Sequence, residues 1–597
     1  MSRKDGYASL GDYAAIGDGR TVALVARDGT IDWLPLPDLD SPAVFAGCLD
    51  VEQGGRWELR PDVPFTVQRR YLPDTNVLET TFWASTGIVR VTDAVTLTDG
   101  PLAPQREVAR RIEGLAGRVP LRWHVEPRFR FGAARGRVER RRGIPVVTSG
   151  GDALAVMSFG AGQATCRDGV VSGRTEVATG QRGLLVLAAA HAEPLVLPTR
   201  DQVEGRIERT CTAWRRWADG RRYEGPWRDS VSRSVLALRL LVHAPSGAVA
   251  AAATTSLPEE IGGMRNWDYR FSWVRDAAFT LEAFLRLGFD SEATAYLWWL
   301  MHASQLTHPN LQVLYRLDGG AHAQERTLPL AGYRGSSPVR VGNGAAGQLQ
   351  LDSYGALLQA VWQYTQAGGR LDRDIARRVA RLADHVSEVW SRPDAGIWEV
   401  RSDPLHFTQS KMMCWVALDR AARLASGGLI PQGHAARWRR EADHIRGFVA
   451  EHCFSPRRGC YVRSAGSDEA DASLLLGVLY GYDDPMDPRL RATVDAVERE
   501  LADGPFVHRY RGVDGVAGGE GAFVACSFWL VEALARTGRL VRAAELMDEL
   551  VAVGNDVGLY SEEIDPATGE FLGNLPQALS HLALISAAGA LSRGAER

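Results

Sequence analysis

Near residue 229 the spacing of apolar residues changes from that of strands to that of helices, and this change constrains the fold more than any other feature of the chain. Residues from about 20 to 205 form short runs rich in β-branched and aromatic residues, separated by turn signals such as the one at Gly29. Such a series predicts a β-sandwich of many strands. Because 597 residues are too many for one ordinary core, we expect a β domain at 1–222 and a helical domain at 223–597.

The helical domain is predicted to hold twelve amphipathic helices, arranged in pairs and joined by long glycine-rich loops. They start near Asp229, Asp276, Ser291, Leu349, Asp374, Thr408, His434, Asp471, Pro488, Gly521, Leu540 and Pro576. Six helical hairpins fit a toroid with its connecting loops gathered at one end. A solenoid of stacked helix pairs is the alternative, but no fixed sequence period supports it.

Charge and cysteine usage exclude several classes of protein. The formal net charge is −3, which favours neither nucleic acid nor a membrane as a partner. The seven cysteines form no CxxC pair and no Cys/His cluster, so we expect neither a disulfide framework nor a zinc site. The N-terminus lacks the apolar core of a signal peptide, and no stretch approaches 18 consecutive apolar residues. These features predict a cytoplasmic protein.

The stretch RNWDYRFSWVRDAAFTL, residues 265–281, combines aromatic rings with fixed charges where a helix is predicted to begin. Its closely spaced rings are those of Trp267, Tyr269, Phe271 and Trp273. Helix capping by Asp276 and an ion pair from Arg275 would explain two of the charges but not the rings. A sugar explains both, since its C–H face stacks on rings and its hydroxyls bond to charged side chains. We interpret the stretch as a sugar-binding surface.

Two further stretches carry carboxyl groups in loops. In GIWEV, Glu399 follows Trp398, whose indole is expected to exclude water and favour the protonated form that a general acid needs. In GLYSEEID, Glu562 and Glu563 are adjacent, so in an extended segment they point in opposite directions. One would then face a pocket and the other would face solvent or an ion-pair partner. Exposed acids on ordinary loops are the alternative in both places.

In their order along the chain, these stretches resemble glycoside hydrolase family 15, which holds glucoamylases and certain bacterial trehalases. The further motifs that carry the resemblance are GYRGSSPVRVGNGAAGQLQLDSYG, GSDEADASLL and GGEGAFVACSFWLVEAL. The N-terminal run IGDGRTVALVARDGTIDWLPLPDLDSPAVF resembles the β domain of the bacterial branch, so the resemblance covers nearly the whole chain. It implies an N-terminal β-supersandwich followed by a catalytic (α/α)6 barrel.

The resemblance also implies an exo-acting hydrolase that releases glucose from the non-reducing end of an α-glucoside with inversion. By motif match, Glu399 resembles the general acid and Glu562 the general base, with Glu563 as the second candidate for the base. Arg275 and Asp276 match the pair that binds the hydroxyls of the terminal glucose. Further substrate contacts are expected from Trp267, Tyr269, Trp273, Trp398, Gln348, Gln350, Asp352 and Glu520.

The leaving group is less constrained than the glucose that is released. Trehalose is the favoured substrate, because the chain resembles the bacterial trehalase branch. Isomaltose or other α-1,6-glucans, maltooligosaccharides and a glycosylated metabolite are the alternatives. Val400 stands where fungal glucoamylases have a second glutamate that contacts the leaving sugar, and Ala356 stands where many bacterial relatives have a glutamate. The first departure bears on leaving-group preference, and the second either reshapes the site or changes only a helix surface.

Two rival functions are less well supported by the same residues. In a disaccharide phosphorylase, phosphate would replace the basic carboxylate, so the presence of Glu562 argues against it. A non-catalytic glucan-binding protein is expected to have lost Glu399 or Glu562. We expect a small saccharide as the partner, with a homo-oligomer as an alternative to a monomer. No cofactor is expected, although some trehalases of this branch depend on phosphate and magnesium, for which the sequence reveals no site.

Overall fold

A computed structural model describes residues 3–97, 106–512 and 514–595. Strands dominate the N-terminal part and helices the remainder, as the change in apolar spacing predicts. The strands of the N-terminal part are Tyr13–Gly17, Val22–Ala26, Ile31–Pro35, Ala43–Ala46, Arg56–Pro61, Phe65–Tyr71, Leu78–Ala84, Gly87–Val95, Arg106–Glu126, Arg128–Phe129, Ala134–Arg135, Arg137–Arg141, Ile144–Ser149, Asp152–Phe159, Thr165–Arg167, Val170–Ala178 and Arg182–His191.

One long strand, Arg106–Glu126, joins two antiparallel sheets into a single 15-stranded system. Its first half pairs with Gly87–Val95 on one edge and Arg182–His191 on the other. Its second half pairs with Arg56–Pro61 and Val170–Ala178. Because both sheets share this strand, the position of one sheet fixes the position of the other.

A helix at Arg200–Ala218 lies where strands were predicted to continue, so the prediction of strands to about residue 205 is wrong. Its N-terminus has a capping box in which Thr199 accepts from the Gln202 amide and the Gln202 side chain accepts from the Thr199 amide. The buried Arg206 pairs with the equally buried Glu107 of the long strand. This ion pair anchors the helix on the sheet.

Twelve α-helices follow within the described residues, and each starts within four residues of a predicted start. They are Arg228–Leu241, Ala277–Leu287, Asp290–Ala303, Asp352–Gln366, Arg373–Val389, Thr408–Ser426, Ala435–His452, Leu475–Leu479, Pro488–Leu501, Val524–Arg536, Leu540–Val551 and Ala578–Ala595. None of the helices in these ranges is both long and apolar enough to cross a membrane.

Six of these helices contact one another in a closed ring, and the other six pack on its outside. The ring consists of Ala277–Leu287, Asp352–Gln366, Thr408–Ser426, Leu475–Leu479, Val524–Arg536 and Ala578–Ala595. Ring helices are buried around their circumference: every residue of Val524–Arg536 except its last is buried. The outer helix Ala435–His452 buries only a stripe, as an amphipathic surface helix does.

Arg270, in the aromatic motif, joins the helical part to the β part. It donates from Nη1 to the carbonyl of Ser41 (2.8 Å), and its guanidinium lies 5.9 Å from the ring centroid of Trp33. The Trp33 indole in turn donates to the carbonyl of Ala253 (2.9 Å). Asp268 neutralises Arg270, accepting from Nε and Nη2 at 2.9 and 2.8 Å. These two charges therefore stabilise the domain contact that holds the aromatic motif in place.

Candidate active site

The rings of the aromatic motif pack against one another before the helix begins. Tyr269 and Trp273 are in edge contact with a centroid distance of 5.1 Å, and Phe271 lies 6.5 Å from Trp273. The Ala251 and Ala252 amides donate to the carbonyls of Phe271 and Tyr269 (2.8 and 2.9 Å). Because Trp273 is only 1% exposed, it offers its indole N–H rather than a ring face to its surroundings.

Glu399 is fixed by two residues of this motif. The Trp273 indole donates to Oε1 of Glu399 at 2.6 Å, and Arg275 Nη1 donates to the same oxygen. Gln348 Nε2 donates to the carbonyls of Glu399 and Val400 (3.2 and 3.1 Å), which holds the backbone on the other side. Glu399 has φ of 57°, a strained conformation of the kind that accumulates at functional sites. Oε2 makes no hydrogen bond within the described chain, so it is the oxygen that can face a ligand.

Asp276 lies beside this carboxyl and does not cap the helix that follows it. It has no capping hydrogen bond, although it is the residue before Ala277. Burial raises the pKa of Asp276 to about 6, an effect that the neighbouring Arg275, 3.8 Å away, opposes. The capping explanation of this charge is therefore wrong, and the carboxyl is available to a ligand.

Glu562 is completely buried at the start of a small hairpin. Its Oε2 accepts from the Asn574 amide at 3.3 Å, whereas Oε1 has no hydrogen-bond partner in the part of the chain that the structure describes. Burial and the nearby Glu259 carboxylate raise the pKa of Glu562 to about 8, which Tyr269 and Arg509 partly offset. An unpaired buried carboxylate oxygen costs about 1–3 kcal/mol or more, so it is available to a water molecule or a substrate hydroxyl.

Glu563 points away from Glu562 into a buried ion-pair network, as expected for adjacent residues of an extended segment. It accepts from the Gly521 amide at 2.7 Å and lies 3.6 Å from Arg509. Arg509 also pairs with Glu259 at 3.0 Å and with Glu520 at 2.5 Å. Of the two predicted surroundings, solvent and an ion-pair partner, the structure has the second.

The carboxylates of Glu259, Glu520 and Glu563 lie close enough to bind one cation, with oxygens within 4.8 Å of one another. Carboxylate oxygens are the ligands that Mg²⁺ prefers. Arg509 contacts all three of them, however, so this cluster already has its cation. The three carboxylates therefore do not fit a magnesium site unless Arg509 leaves.

A cavity opens beside Glu399 and the ion-pair network of Arg509, and the predicted site residues Glu562, Trp273 and Asp276 are not among the residues that line it. Its lining includes Arg275, Tyr269, Trp398, Glu399 and Trp267, all of which the sequence predicts at the site. Further lining residues are Glu259, Arg265, Ile397, Arg401, Arg509, Asp514, Val516, Phe523 and Leu579. Burial raises the pKa of the Tyr269 hydroxyl well above its usual range, and the negative charges of Glu562, Glu259 and Glu399 raise it further.

Three predicted site residues make different contacts from those expected. The Trp398 indole donates to Asp471 at 2.9 Å, so it does not hold the Glu399 carboxyl. Glu520 is engaged by Arg509 and, at 3.4 Å, by Arg265. Gln348 holds the backbone of Glu399 rather than lining the cavity. For Trp398, Glu520 and Gln348, a contact with substrate stays a prediction.

Sequence reasoning missed Glu259, Arg509, Asp514 and Arg401. Asp514 pairs bidentately with Arg265, at 2.7 and 2.9 Å, at the edge of the cavity. Arg401 stands two residues after Glu399, in a stretch from which only Trp398 and Glu399 were singled out. Arg509 meets Glu259 across 250 residues of sequence. Only the folding of distant loops onto one end of the helical ring brings them together.

The two departures noted in the sequence lie in the interior. Val400 is 4% exposed and Ala356 is 2% exposed. Ala356 belongs to the ring helix Asp352–Gln366, so its change does not alter a helix surface. Val400 is turned into the protein, and the position after Glu399 offers no polar side chain to a ligand.

Comparisons with known proteins relate both parts of the chain to sugar-cleaving enzymes. Residues 225–589 match the model of glycosyl hydrolases family 15, and residues 8–206 match that of trehalase-like N-terminal domains. A trehalase of Thermoplasma volcanium is 35% identical over 591 residues, which cover 98% of this chain and 94% of that protein. A trehalase of Mycobacterium tuberculosis is 36% identical over 616 residues, with 97% and 89% covered.

Among solved structures, a bacterial glucoamylase complexed with acarbose has the same fold. The TM-score is 0.75 at 14% identity, and the match covers 99% of this chain and 95% of that one. The match extends over the strands as well as the helices, so the order of a β-rich domain followed by a helical domain is common to both proteins.

Proposed function

The chain belongs to glycosyl hydrolases family 15 and is a glycoside hydrolase, and we propose that it hydrolyses trehalose with inversion at the anomeric carbon of one glucose. Support for this substrate comes from trehalases that match over nearly the full length of the chain. Both family models support the proposal, since the helical part matches the model of glycosyl hydrolases family 15 and the β-rich part matches the model of trehalase-like N-terminal domains.

We further infer that the closed ring with its outer helices is an (α/α)6 barrel and that the two sheets form a supersandwich. The alternation of ring and outer helices along the chain supports the barrel. A boundary near residue 222 fits the gap between the helix Arg200–Ala218, which packs on the sheets, and Arg228–Leu241, the first helix of the barrel. The site then lies where the loops of the barrel meet.

The observation that carries the proposed chemistry is the way in which Glu399 is held. Trp273 and Arg275 both donate to Oε1, which leaves Oε2 to carry a proton to the glycosidic oxygen. This division suits a general acid, because one oxygen fixes the position of the carboxyl and the other is within reach of the atom that receives the proton. In this proposal Glu399 protonates the leaving oxygen as the C1–O bond breaks.

Glu562 is the proposed base, which takes a proton from the water that attacks C1 from the opposite face. Its Oε2 is fixed by the Asn574 amide, and the unpaired Oε1 is free to accept from that water. Inverting enzymes hold such carboxyls roughly 6.5–9.5 Å apart, with room for the water between them. The attack forms one C–O bond while the glycosidic C–O bond breaks, and the proton passes from water to Glu562.

Arg275 and Asp276 are the proposed ligands of the glucose that is released. Asp276 is buried and Arg275 is half-buried next to Glu399, and neither is needed to cap the following helix. A guanidinium and a carboxylate give charge-assisted hydrogen bonds to hydroxyls, which are stronger than neutral ones. As the glucose enters, its hydroxyls would accept some of the hydrogen bonds that Arg275 otherwise donates to Glu399.

The proposed substrate is tested by measuring glucose release from equal concentrations of trehalose, isomaltose, maltose and maltotetraose. Trehalose should have the highest kcat/KM. Faster release from isomaltose or from the maltooligosaccharides would reject trehalose and leave an α-glucoside hydrolase of another linkage. Glucose 1-phosphate formed only in the presence of phosphate would instead indicate a phosphorylase.

Gly573 keeps space for the base, so replacing it with alanine should impair turnover more than folding. Its φ is +71°, and an added Cβ would lie 2.5 Å from Oε2 of Glu562. We expect kcat to fall about tenfold, less than the 10²-fold that a 1 Å displacement can cost. Stability should fall by about 1–2 kcal/mol because alanine is strained at positive φ.

Gly569 in the same hairpin is the matched control for this change. Its φ is +72°, but nothing lies within 4 Å of an added Cβ. Gly569→Ala should therefore lose similar stability in thermal unfolding and keep its kcat. Equal losses of kcat in the two variants would mean that backbone strain, and not the position of Glu562, limits turnover.

The proposed base also predicts how activity depends on pH. Glu562 must be ionised to accept a proton, so kcat/KM should rise with pH toward the raised pKa of about 8. Glu259 is one cause of that rise in pKa. Glu259→Gln removes a negative charge, so the ascending limb should move to lower pH, by on the order of one pH unit.

Glu260→Gln is the control for the pH measurement. Glu260 is the exposed neighbour in sequence and accepts from the Gly519 amide at 2.8 Å. Its replacement should leave the ascending limb where it is. A limb that fails to move in Glu259→Gln, or that moves to higher pH, would contradict the electrostatic coupling of Glu259 to the base.

A further inference from the structure

Arg401 is an arginine of the cavity whose guanidinium has no partner of opposite charge among the residues that the structure describes. It lines the cavity together with Glu399, two residues before it in the chain. Its backbone amide is fixed by the carbonyl of Asp514 at 2.8 Å. The guanidinium makes no hydrogen bond or ion pair within the described residues and only lies 5.2 Å from the ring centroid of Trp267. The backbone is thus held while the charged end is free to bind.

The other arginines around the cavity are all engaged. Arg275 contacts Glu399, Arg265 contacts Asp514, and Arg509 contacts three carboxylates. Arg340 also lies near Trp267, 4.5 Å from the ring centroid, and it donates to the carbonyls of Met264 and Asn266. Arg401 therefore differs from them, because it can turn toward a ligand without breaking an ion pair.

Arg401 lies at the mouth of the cavity, beyond the acid. It is exposed and Trp267 is half-buried, whereas Arg275 and Tyr269 are largely enclosed. An exo-acting hydrolase holds the released glucose at the closed end, so the leaving group lies toward the mouth. Val400 is buried and cannot contact that group, which leaves Arg401 as the first polar side chain after Glu399.

We propose that Arg401 binds hydroxyls of the leaving sugar and sets the preference for the leaving group; this inference rests on the proposed hydrolysis of an α-glucoside. The planar guanidinium presents parallel N–H donors, a geometry that suits two neighbouring hydroxyl oxygens of a hexose. Trp267 offers a partly exposed ring beside it for the C–H face of the same sugar. Arg401 is thereby a specificity residue and takes no part in proton transfer.

The test compares trehalose with α-glucosyl fluoride, which carries the same glucosyl unit but a leaving group without hydroxyls. Arg401→Ala should lower kcat/KM for trehalose by about 10–100-fold, the loss expected for hydrogen bonds from a charged group. For α-glucosyl fluoride, kcat/KM should stay within about twofold of the wild-type value, since no contact of Arg401 is lost. Arg401→Lys should recover part of the loss on trehalose, because it keeps the charge but not the paired donors.

Each other outcome has a definite meaning. Equal losses on both substrates would show that Arg401 supports the acid loop, and no loss on trehalose would show that it does not touch the leaving sugar; either result overturns the proposal. If the wild-type protein cleaves α-glucosyl fluoride but not trehalose, only the assignment of trehalose as the substrate is rejected. The same pair of variants is then measured on whichever disaccharide the wild-type protein cleaves, and the difference from the fluoride still decides the role of Arg401.

Discussion

Replacing Glu399 with glutamine is expected to reduce kcat for trehalose by about 10²–10⁴-fold, the range for the loss of a general acid. Glutamine has the same shape, and its amide oxygen can still accept from Trp273 and Arg275. The protein should therefore keep its fold, which thermal unfolding and circular dichroism can verify. What it loses is the proton that Glu399 gives to the leaving oxygen.

A substrate whose leaving group needs no proton separates this role from any other. Fluoride departs as an anion, so Glu399→Gln should retain most of its kcat on α-glucosyl fluoride. Asp403→Asn removes an exposed carboxyl nearby in the chain and should change neither substrate. Equal losses of Glu399→Gln on trehalose and on the fluoride would contradict the assignment of Glu399 as the acid.

Glu562→Gln is expected to lose about 10²–10⁴-fold in kcat on both substrates, because water must be activated whichever group departs. The contrast between the two glutamine variants is therefore a signature of their roles. Glutamine at 562 can keep the contact of one oxygen with the Asn574 amide, and it removes a buried charge, so folding should survive. Initial rates measured over a range of pH with both substrates check this expectation.

Glu563 is the other candidate for the base, and its replacement distinguishes the two. Its carboxyl lies in the network of Arg509, so Glu563→Gln leaves that arginine with one partner fewer. Breaking a buried ion pair is destabilising by about 3–5 kcal/mol when one charge is left unpaired, and less here because Glu259 and Glu520 still pair with Arg509. A stable Glu563→Gln protein that loses more kcat than Glu562→Gln would transfer the role of base to Glu563.

Much of the helical domain could be predicted because its pattern is local. Apolar spacing and the residues that flank each helix determine where the helices begin, as at Thr408 and Pro488. The helix Arg200–Ala218 was missed although it carries a capping box at Thr199. Its buried stripe packs on a sheet rather than on a second helix, so it lacks the paired partner that marks the other helices.

In the candidate site, local sequence predicts which residues approach the cavity better than it predicts what they touch. Glu399 has a positive φ, and the chain turns there. The Trp398 indole donates to Asp471, whereas the Glu399 carboxyl is held by Trp273 from another loop. Arg509 and its three carboxylate partners come from three distant segments of the chain. Their contacts depend on the closure of the helical ring, a property of the whole chain.

The most direct test of the central claim is the anomeric form of the glucose released from trehalose, followed by proton NMR before mutarotation. Both anomeric carbons of trehalose have the α configuration. Inversion at one carbon gives one β-glucose, and the leaving glucose keeps its α form, so the account predicts equal initial amounts of the two anomers. Release of α-glucose alone would mean retention, and it would contradict a mechanism in which Glu562 activates water for direct attack.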